Sequence, residues 1–163
     1  MILGIYGYHK SGKTLLLENL MDELRMRGYR AAAIKHLGPD FREDFSGDTG
    51  RLARAGYDPI VAISDNMFTF RMSGYHDLSK VISLVEFLSE VDVIFVEGFK
   101  HAQIKKIAVG DIKELPGTVM RISSVLSAEF DRVVKFIIDQ IKEEKSDSAR
   151  NPLGDNVFEK PGA

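Results

Sequence analysis

The sequence predicts a three-layer α/β domain with helices on a mixed, mainly parallel sheet. Three observations predict it. Short apolar runs alternate with amphipathic stretches along the chain, the order that gives βαβ units. A glycine-bounded turn, Gly7 to Gly12, joins the first run to the first amphipathic stretch. Two further runs flank an Asp65-Asn66 turn and read as a hairpin, which makes the sheet mixed.

Residues 2–6 are apolar and lead into Gly7, so they read as a buried strand. Leu16, Leu20 and Leu24 recur at i, i+4, i+8, one face of a helix over 13–27, and Gly28 suits its stop. Residues 29–36 carry Ala31, Ala32, Ala33 and Ile34 in succession, which suits a strand covered on both faces. Residues 37–47 are polar, with Gly38-Pro39, and read as a loop. A short helix is expected over 49–55, ending at Gly56, with hairpin strands at 59–64 and 67–72. Leu78, Val81, Ile82, Val85 and Leu88 form a helical stripe over 77–89. Residues 91–96 form the most apolar strand, interrupted only by Asp92, which reads as a solvated strand end. Further strands are expected at 104–109 and 119–122. Phe130, Val133, Val134, Ile137, Ile138 and Ile141 mark a last helix, with Asp131 and Lys142 complementing its dipole.

The expected organisation is one nucleotide-binding domain over 1–145, then a tail over 146–163, rich in proline, glycine and charge, that is mobile or docks on a partner. At 163 residues and 44% hydrophobic content, a buried core is within reach. The formal net charge of −2 argues against a nucleic-acid binder with a general basic surface. With no cysteine, disulfides and thiolate metal sites are excluded. The sequence lacks the marks of a signal peptide and of a membrane span, so a cytoplasmic protein is expected.

The chemistry sits in Gly7-Tyr8-His9-Lys10-Ser11-Gly12-Lys13-Thr14, a G-x-x-x-x-G-K-[ST] P-loop. Gly7 and Gly12 let the backbone curl so that successive N–H groups face inward. The helix that follows adds free N–H groups and the positive end of its dipole. Phosphate contacts are expected from His9, Lys10, Ser11, Gly12 and Leu15 along the loop. Lys13 reaches the β- and γ-phosphates, and the Thr14 hydroxyl holds Mg²⁺. Composition alone yields such a match in roughly one chain in a hundred or two. Its place between an apolar strand and an amphipathic helix makes it far more specific. Tyr8 stands where some P-loop ATPases carry a second lysine, so that intersubunit pattern is absent.

A magnesium–nucleotide site also needs a carboxylate at the end of a buried strand. Val93-Ile94-Phe95-Val96-Glu97-Gly98 supplies Glu97 there. A carboxylate at the mouth of an apolar strand needs a partner, and a metal ion or its water would serve. Asp40, Asp44 and Asp48 follow the second strand. Asp48 is open to two roles, helix N-cap or Mg²⁺ contact, whereas Asp40 and Asp44 read as solvated charges.

The order Gly-Tyr-x-x-Ser-Gly-Lys-Thr, Ile34-Lys35-His36, Gly47-Asp48-Thr49-x-Arg51, Ala55-Gly56, Val96-Glu97-Gly98-Phe99-Lys100 and Lys106-Ile107 resembles the MobB family of molybdopterin-guanine dinucleotide biosynthesis. The resemblance covers residues 1–109 and is carried most specifically by Glu97-Gly98-Phe99-Lys100. It implies a GTP-binding, weakly GTP-hydrolysing homodimer that assists a MobA-like guanylyltransferase. It implies that Lys13 and Thr14 bind phosphate and Mg²⁺, with Asp48 and Glu97 in the metal and nucleotide region. Leu37-Gly38-Pro39 after His36, Asp48 directly after Gly47, and Leu15 in place of a second threonine depart from the family pattern. Lys35, His36, Lys100 and His101 form a candidate basic patch for an anionic pterin phosphate, or are simply exposed.

Other readings stay open. A small-molecule or nucleotide kinase would need an arginine-bearing lid, for which only Arg51 and Arg54 are candidates. A nickel-type metal chaperone is disfavoured by four scattered histidines and no cysteine. A non-catalytic adaptor whose bound nucleotide only sets shape is the third alternative. No Asn-Lys-x-Asp segment reads guanine, so GTP is implied by the resemblance alone.

Overall fold

The computed structural model describes residues 1–38, 46–74, 77–124 and 127–150, with residues 148–150 described by backbone only. Its strands are β1 (Ile2–Gly7), β2 (Ala31–Lys35), β3 (Ile60–Ile63), β4 (Phe68–Arg71), β5 (Val93–Glu97), β6 (Lys106–Val109) and β7 (Thr118–Ile122). Its helices are α1 (Lys13–Met26), α2 (Gly47–Arg54), α3 (Leu78–Leu88) and α4 (Ala128–Arg150). The chain divides into two compact units, one of Met1–His36 with Ile82–Ala163, the other Leu37–Val81.

The first unit holds a five-stranded sheet in the order β2-β5-β1-β6-β7, with every neighbouring pair parallel. Parallel pairing carries all strand ends that follow the sheet direction to one edge. Gly7, Glu97, Lys35 and Val109 therefore end at the same edge.

One face of the sheet is covered by α1 and α4. Leu16, Leu20 and Leu24 of α1 and Val133, Val134, Ile137 and Ile141 of α4 pack on Leu3, Ile5, Phe95, Ile107 and Ile122. The i, i+4 leucine row of α1 is fully buried, and each such side chain contributes about 1.5–3 kcal/mol by leaving water. On the opposite face, Tyr6 and Ala108 pack with Ile112. The Tyr6 hydroxyl meets Thr118 Oγ1 at 2.7 Å and accepts the Leu115 N–H at 3.1 Å. Glu86 and Ser89, at the end of α3, share a groove with Ile94 on that face.

Three expectations change. The alanine-rich strand β2 lies at the sheet edge, and only Ile34 in it is buried; small residues suit an edge as well as a covered position. Asp92 is not a solvated end. Its carboxylate accepts the Arg30 N–H at 2.6 Å and pairs with Lys145 of α4 at 2.6 Å. Burial alone would raise its pKa, but these partners outweigh it and hold the carboxyl below its ordinary value of 3.8. The last helix runs on to Arg150, so residues 146–150 of the expected tail are helical, and 151–163 lie outside the described residues.

The second unit contains the expected hairpin as a separate two-stranded antiparallel sheet, β3 with β4. Ser64 N–H closes its turn on the Met67 carbonyl at 2.7 Å. Val61 faces Phe70, and Ile63 faces Phe68, across the ladder. All four are exposed, Ile63 at 80%. Alternation puts both pairs on one face of the hairpin.

Candidate functional site at the start of α1

The loop between β1 and α1 is shaped by steric constraints at its two glycines. Gly12 has φ 90°, in the left-handed region that favours glycine. At Gly7 the constraint is space. A Cβ there would stand 2.4 Å from Ser11 Oγ and 2.6 Å from the Val109 carbonyl oxygen. Ser11 folds back over Gly7, donating its N–H to the Tyr8 carbonyl at 3.2 Å, and its buried Oγ has no hydrogen-bond partner among the described residues. Lys10 adopts φ 60°, a conformation uncommon outside glycine.

Gly12 is the N-cap of α1 and supplies no side-chain cap, and the first turn holds no acidic residue. The opening N–H groups of a helix have no intrahelical acceptor. Together with the helix dipole they make a ready anion site. The cavity here has a volume of ≈ 370 Å³. His9, Lys10, Ser11, Gly12, Lys13, Thr14 and Leu15 line it from the loop, and Lys35 and Glu97 line it from the strand ends. Lys13 Nζ donates to the Tyr8 carbonyl at 2.6 Å, so the lysine is folded over its own loop.

Glu97 is neither a solvated strand end nor a carboxylate awaiting a metal for its first partner. Lys35 is its register neighbour on β2, and Lys35 Nζ lies 3.3 Å from Glu97 Oε2. The glutamate side chain is 12% exposed and the lysine 51%. This pairing was readable in principle, because both residues end apolar strands, but the strand order was needed to make them neighbours. Beyond Glu97 the chain turns sharply. Gly98 has φ 97°, and a Cβ there would stand 2.7 Å from His36 Cβ. Phe99 follows at φ 44° and its ring meets His36 with centroids 4.6 Å apart.

The remaining expected residues fall elsewhere. Lys100 and His101 are exposed in the turn after Phe99, and Lys100 does not line the cavity. Asp48 belongs to the second unit. It is not the N-cap of α2; Ser46 is, and Asp48 sits within the first turn, exposed and 3.3 Å from Arg51. Asp40 and Asp44 lie outside the described residues.

Lys106 is a charged residue whose burial no sequence pattern signals. It is 3% exposed. Its ammonium donates to the carbonyls of Ala102, Ile104 (3.4 Å) and Pro116 (2.8 Å), fastening the loop after β5 to the loop before β7.

Among the described residues, no cluster of three or more His, Asp or Glu holds a metal by itself. Thr14 and Glu97 line one cavity, a hydroxyl and a carboxylate of the oxygen-donor type that Mg²⁺ takes. A second cavity of ≈ 540 Å³ shares Thr14, Lys35 and Glu97 and runs on between Leu17, Met21 and Ile34.

A parallel sheet whose central strand feeds a glycine-bounded loop and an uncapped helix defines a P-loop NTPase-like domain. Residues 2–125 match MobB, molybdopterin guanine dinucleotide synthesis protein B. The chain is 31% identical over 146 residues to the molybdopterin-guanine dinucleotide biosynthesis adapter protein of Haemophilus influenzae, spanning 82% of this chain and 79% of that one. It is 35% identical over 115 residues to a Methanocaldococcus jannaschii protein named for the same adapter role, spanning 68% of this chain but only 45% of that longer protein. The crystal structure of Bacillus subtilis MobB shares the fold, with a TM-score of 0.67 at 22% identity over 85% of this chain and 96% of that one. The chain belongs to the MobB family.

Proposed function

We propose that this protein is a cytoplasmic adapter in molybdopterin guanine dinucleotide biosynthesis that binds GTP with Mg²⁺ and hydrolyses it slowly. The observation that carries the reading is the cavity on which Lys13, Thr14, Glu97 and the uncapped start of α1 converge. Lys13 and the loop N–H groups hold the phosphate oxygens, and Thr14 and Glu97 would hold the metal. Mg²⁺, when bound, supplies charge neutralisation across the outer phosphates. Lys13 has only to swing from the Tyr8 carbonyl to the ligand. Asp48 is retained as a candidate metal contact by family resemblance, and guanine as the base rests on that resemblance as well. Among the described residues, no arginine lines the cavity, and slow turnover is proposed on that basis.

The named relatives support a role in molybdopterin guanine dinucleotide biosynthesis; a MobA-like guanylyltransferase and a molybdopterin-type pterin phosphate as its partners rest on the family resemblance. Lys100 and His101, both exposed, are the candidate anion contacts for the pterin. The exposed apolar face of the β3–β4 hairpin supports a homodimer. The groove beyond Thr14 favours a second reading, a small-molecule kinase whose acceptor would sit there.

Calorimetry with GTP, ATP and a pterin phosphate, each with Mg²⁺, tests the reading. GTP should bind more tightly than ATP, and Lys13→Ala should abolish binding of both. A wild-type protein with no heat for either nucleotide defeats it. Lys100→Ala with unchanged pterin affinity removes the pterin contact, and phosphate transfer to a scanned acceptor would favour the kinase.

A further inference from the structure

We infer that Lys35 is a movable phosphate-binding arm, which neutralises Glu97 in the empty protein and turns to the terminal phosphate when a metal–triphosphate enters. The inference rests on the nucleotide reading above and gives Lys35, outside the P-loop motif, a role distinct from the pterin-phosphate patch in which the sequence places it.

Three observations carry it. Lys35 and Glu97 are register partners at the ends of adjacent parallel strands, with their charges 3.3 Å apart. Both line the cavity that holds Lys13, Thr14 and the first turn of α1. Their exposures differ, 51% for the lysine and 12% for the glutamate. That asymmetry decides which partner moves. The half-exposed ammonium reaches water or another anion at little cost. The covered carboxylate is costly to leave alone, so Lys35 leaves only when another cation takes its place at Glu97. A divalent ion carried in on phosphate oxygens is such a cation, being hard and oxygen-seeking.

The released lysine has its next acceptor close by. β2 stands two strand spacings from β1, roughly 9–10 Å, with β5 between them. A flexible four-carbon stem with three rotatable donors suits that gap. A diphosphate lacks the outermost oxygens, so Lys35 discriminates triphosphate from diphosphate, and does so only when metal is present.

The test is calorimetric titration of the full chain with GTP and with GDP, in Mg²⁺ and in EDTA. The proteins are wild type, Lys35→Met and Lys35→Arg, each first checked for an unchanged far-ultraviolet spectrum and cooperative melting. In Mg²⁺, Lys35→Met should lower the GTP-to-GDP affinity ratio about tenfold, the loss of one charge-assisted hydrogen bond. In EDTA the ratio should stay as in wild type, because the arm remains on Glu97. Lys35→Arg should restore most of the Mg²⁺-dependent ratio. An unchanged ratio in Mg²⁺ overturns the inference, as does an equal fall in EDTA, which would mean a fixed contact. Failure of the nucleotide reading is recognised separately, as absence of GTP binding by wild type, and ends the inference with it.

Discussion

Asp92, at the entry to β5, and Lys145, near the end of α4, meet at 2.6 Å, which ties the last helix to the sheet. The same carboxylate accepts the Arg30 N–H at 2.6 Å, so one side chain joins three segments distant in sequence.

The Asp92 carboxyl is held below its ordinary value in the folded chain. A depressed carboxylate pKa contributes stability that is present above the unfolded value, near 3.8, and lost as pH falls through the folded value. Asp92→Asn should therefore lower Tm at neutral pH by roughly 2–4 °C, about 1 kcal/mol for a chain of this size. The gap from wild type should close below about pH 4. Melting curves across pH check this, and a gap that persists undiminished into acid contradicts it.

Gly7 has no room for a methyl group against Ser11 Oγ and the Val109 carbonyl. Because one of these is backbone, the strand end or the loop must shift. Gly7→Ala should cost about 1–3 kcal/mol and weaken GTP binding at least tenfold. Gly28→Ala, with open space around its Cβ but φ 78°, serves as a comparison away from the cradle; it should lower Tm while leaving GTP affinity as it was. Equal GTP affinity in wild type and Gly7→Ala sinks the prediction.

Lys106→Met keeps the length of the stem and removes the ammonium from three carbonyls. Its loss leaves those oxygens underbonded in a nearly covered site, at about 2–4 kcal/mol. Urea titration should show a lower midpoint with an unchanged slope. Native-state hydrogen exchange should quicken most over residues 99–105. A wild-type midpoint would show the buried charge to be dispensable.

The hairpin predicts an oligomer. Ile63→Asp with Phe68→Ser charges and trims the exposed face that Val61 and Phe70 complete. Sedimentation velocity should show the wild type as a dimer and this variant as a monomer of unchanged secondary structure. A variant that still sediments as a dimer moves the interface elsewhere.

Much of this was legible in the sequence because it is periodic or local. The Leu16, Leu20, Leu24 row, the Gly7-to-Thr14 loop and the Asp65-Asn66 turn were each read from neighbouring residues, and the structure contains all three. What escaped depends on neighbours distant in sequence. The Ala31–Ala33 run carries no mark of being at an edge; only the strand order gives that. Glu97 was read without Lys35 because the two become neighbours only when β2 and β5 pair. Asp92 was set aside for the same reason, since Lys145 lies on the last helix. Lys106 belongs to a strand motif, but nothing around it in sequence signals burial among carbonyls. For Asp48, a rule about helix starts was off by two residues, as Ser46 holds the cap.

The strand order also bears on how the chain is made. β1 comes first in sequence, yet its two hydrogen-bonded neighbours are β5 and β6. On a ribosome adding about 5–20 residues each second, the glycine-bounded loop would leave the exit tunnel several seconds before either flanking strand exists to brace it. Over that interval the apolar segment ahead of the loop has no native sheet partner. The protein is thus most exposed to wrong association early in synthesis, and slowing translation ahead of Val93 should lower its soluble yield.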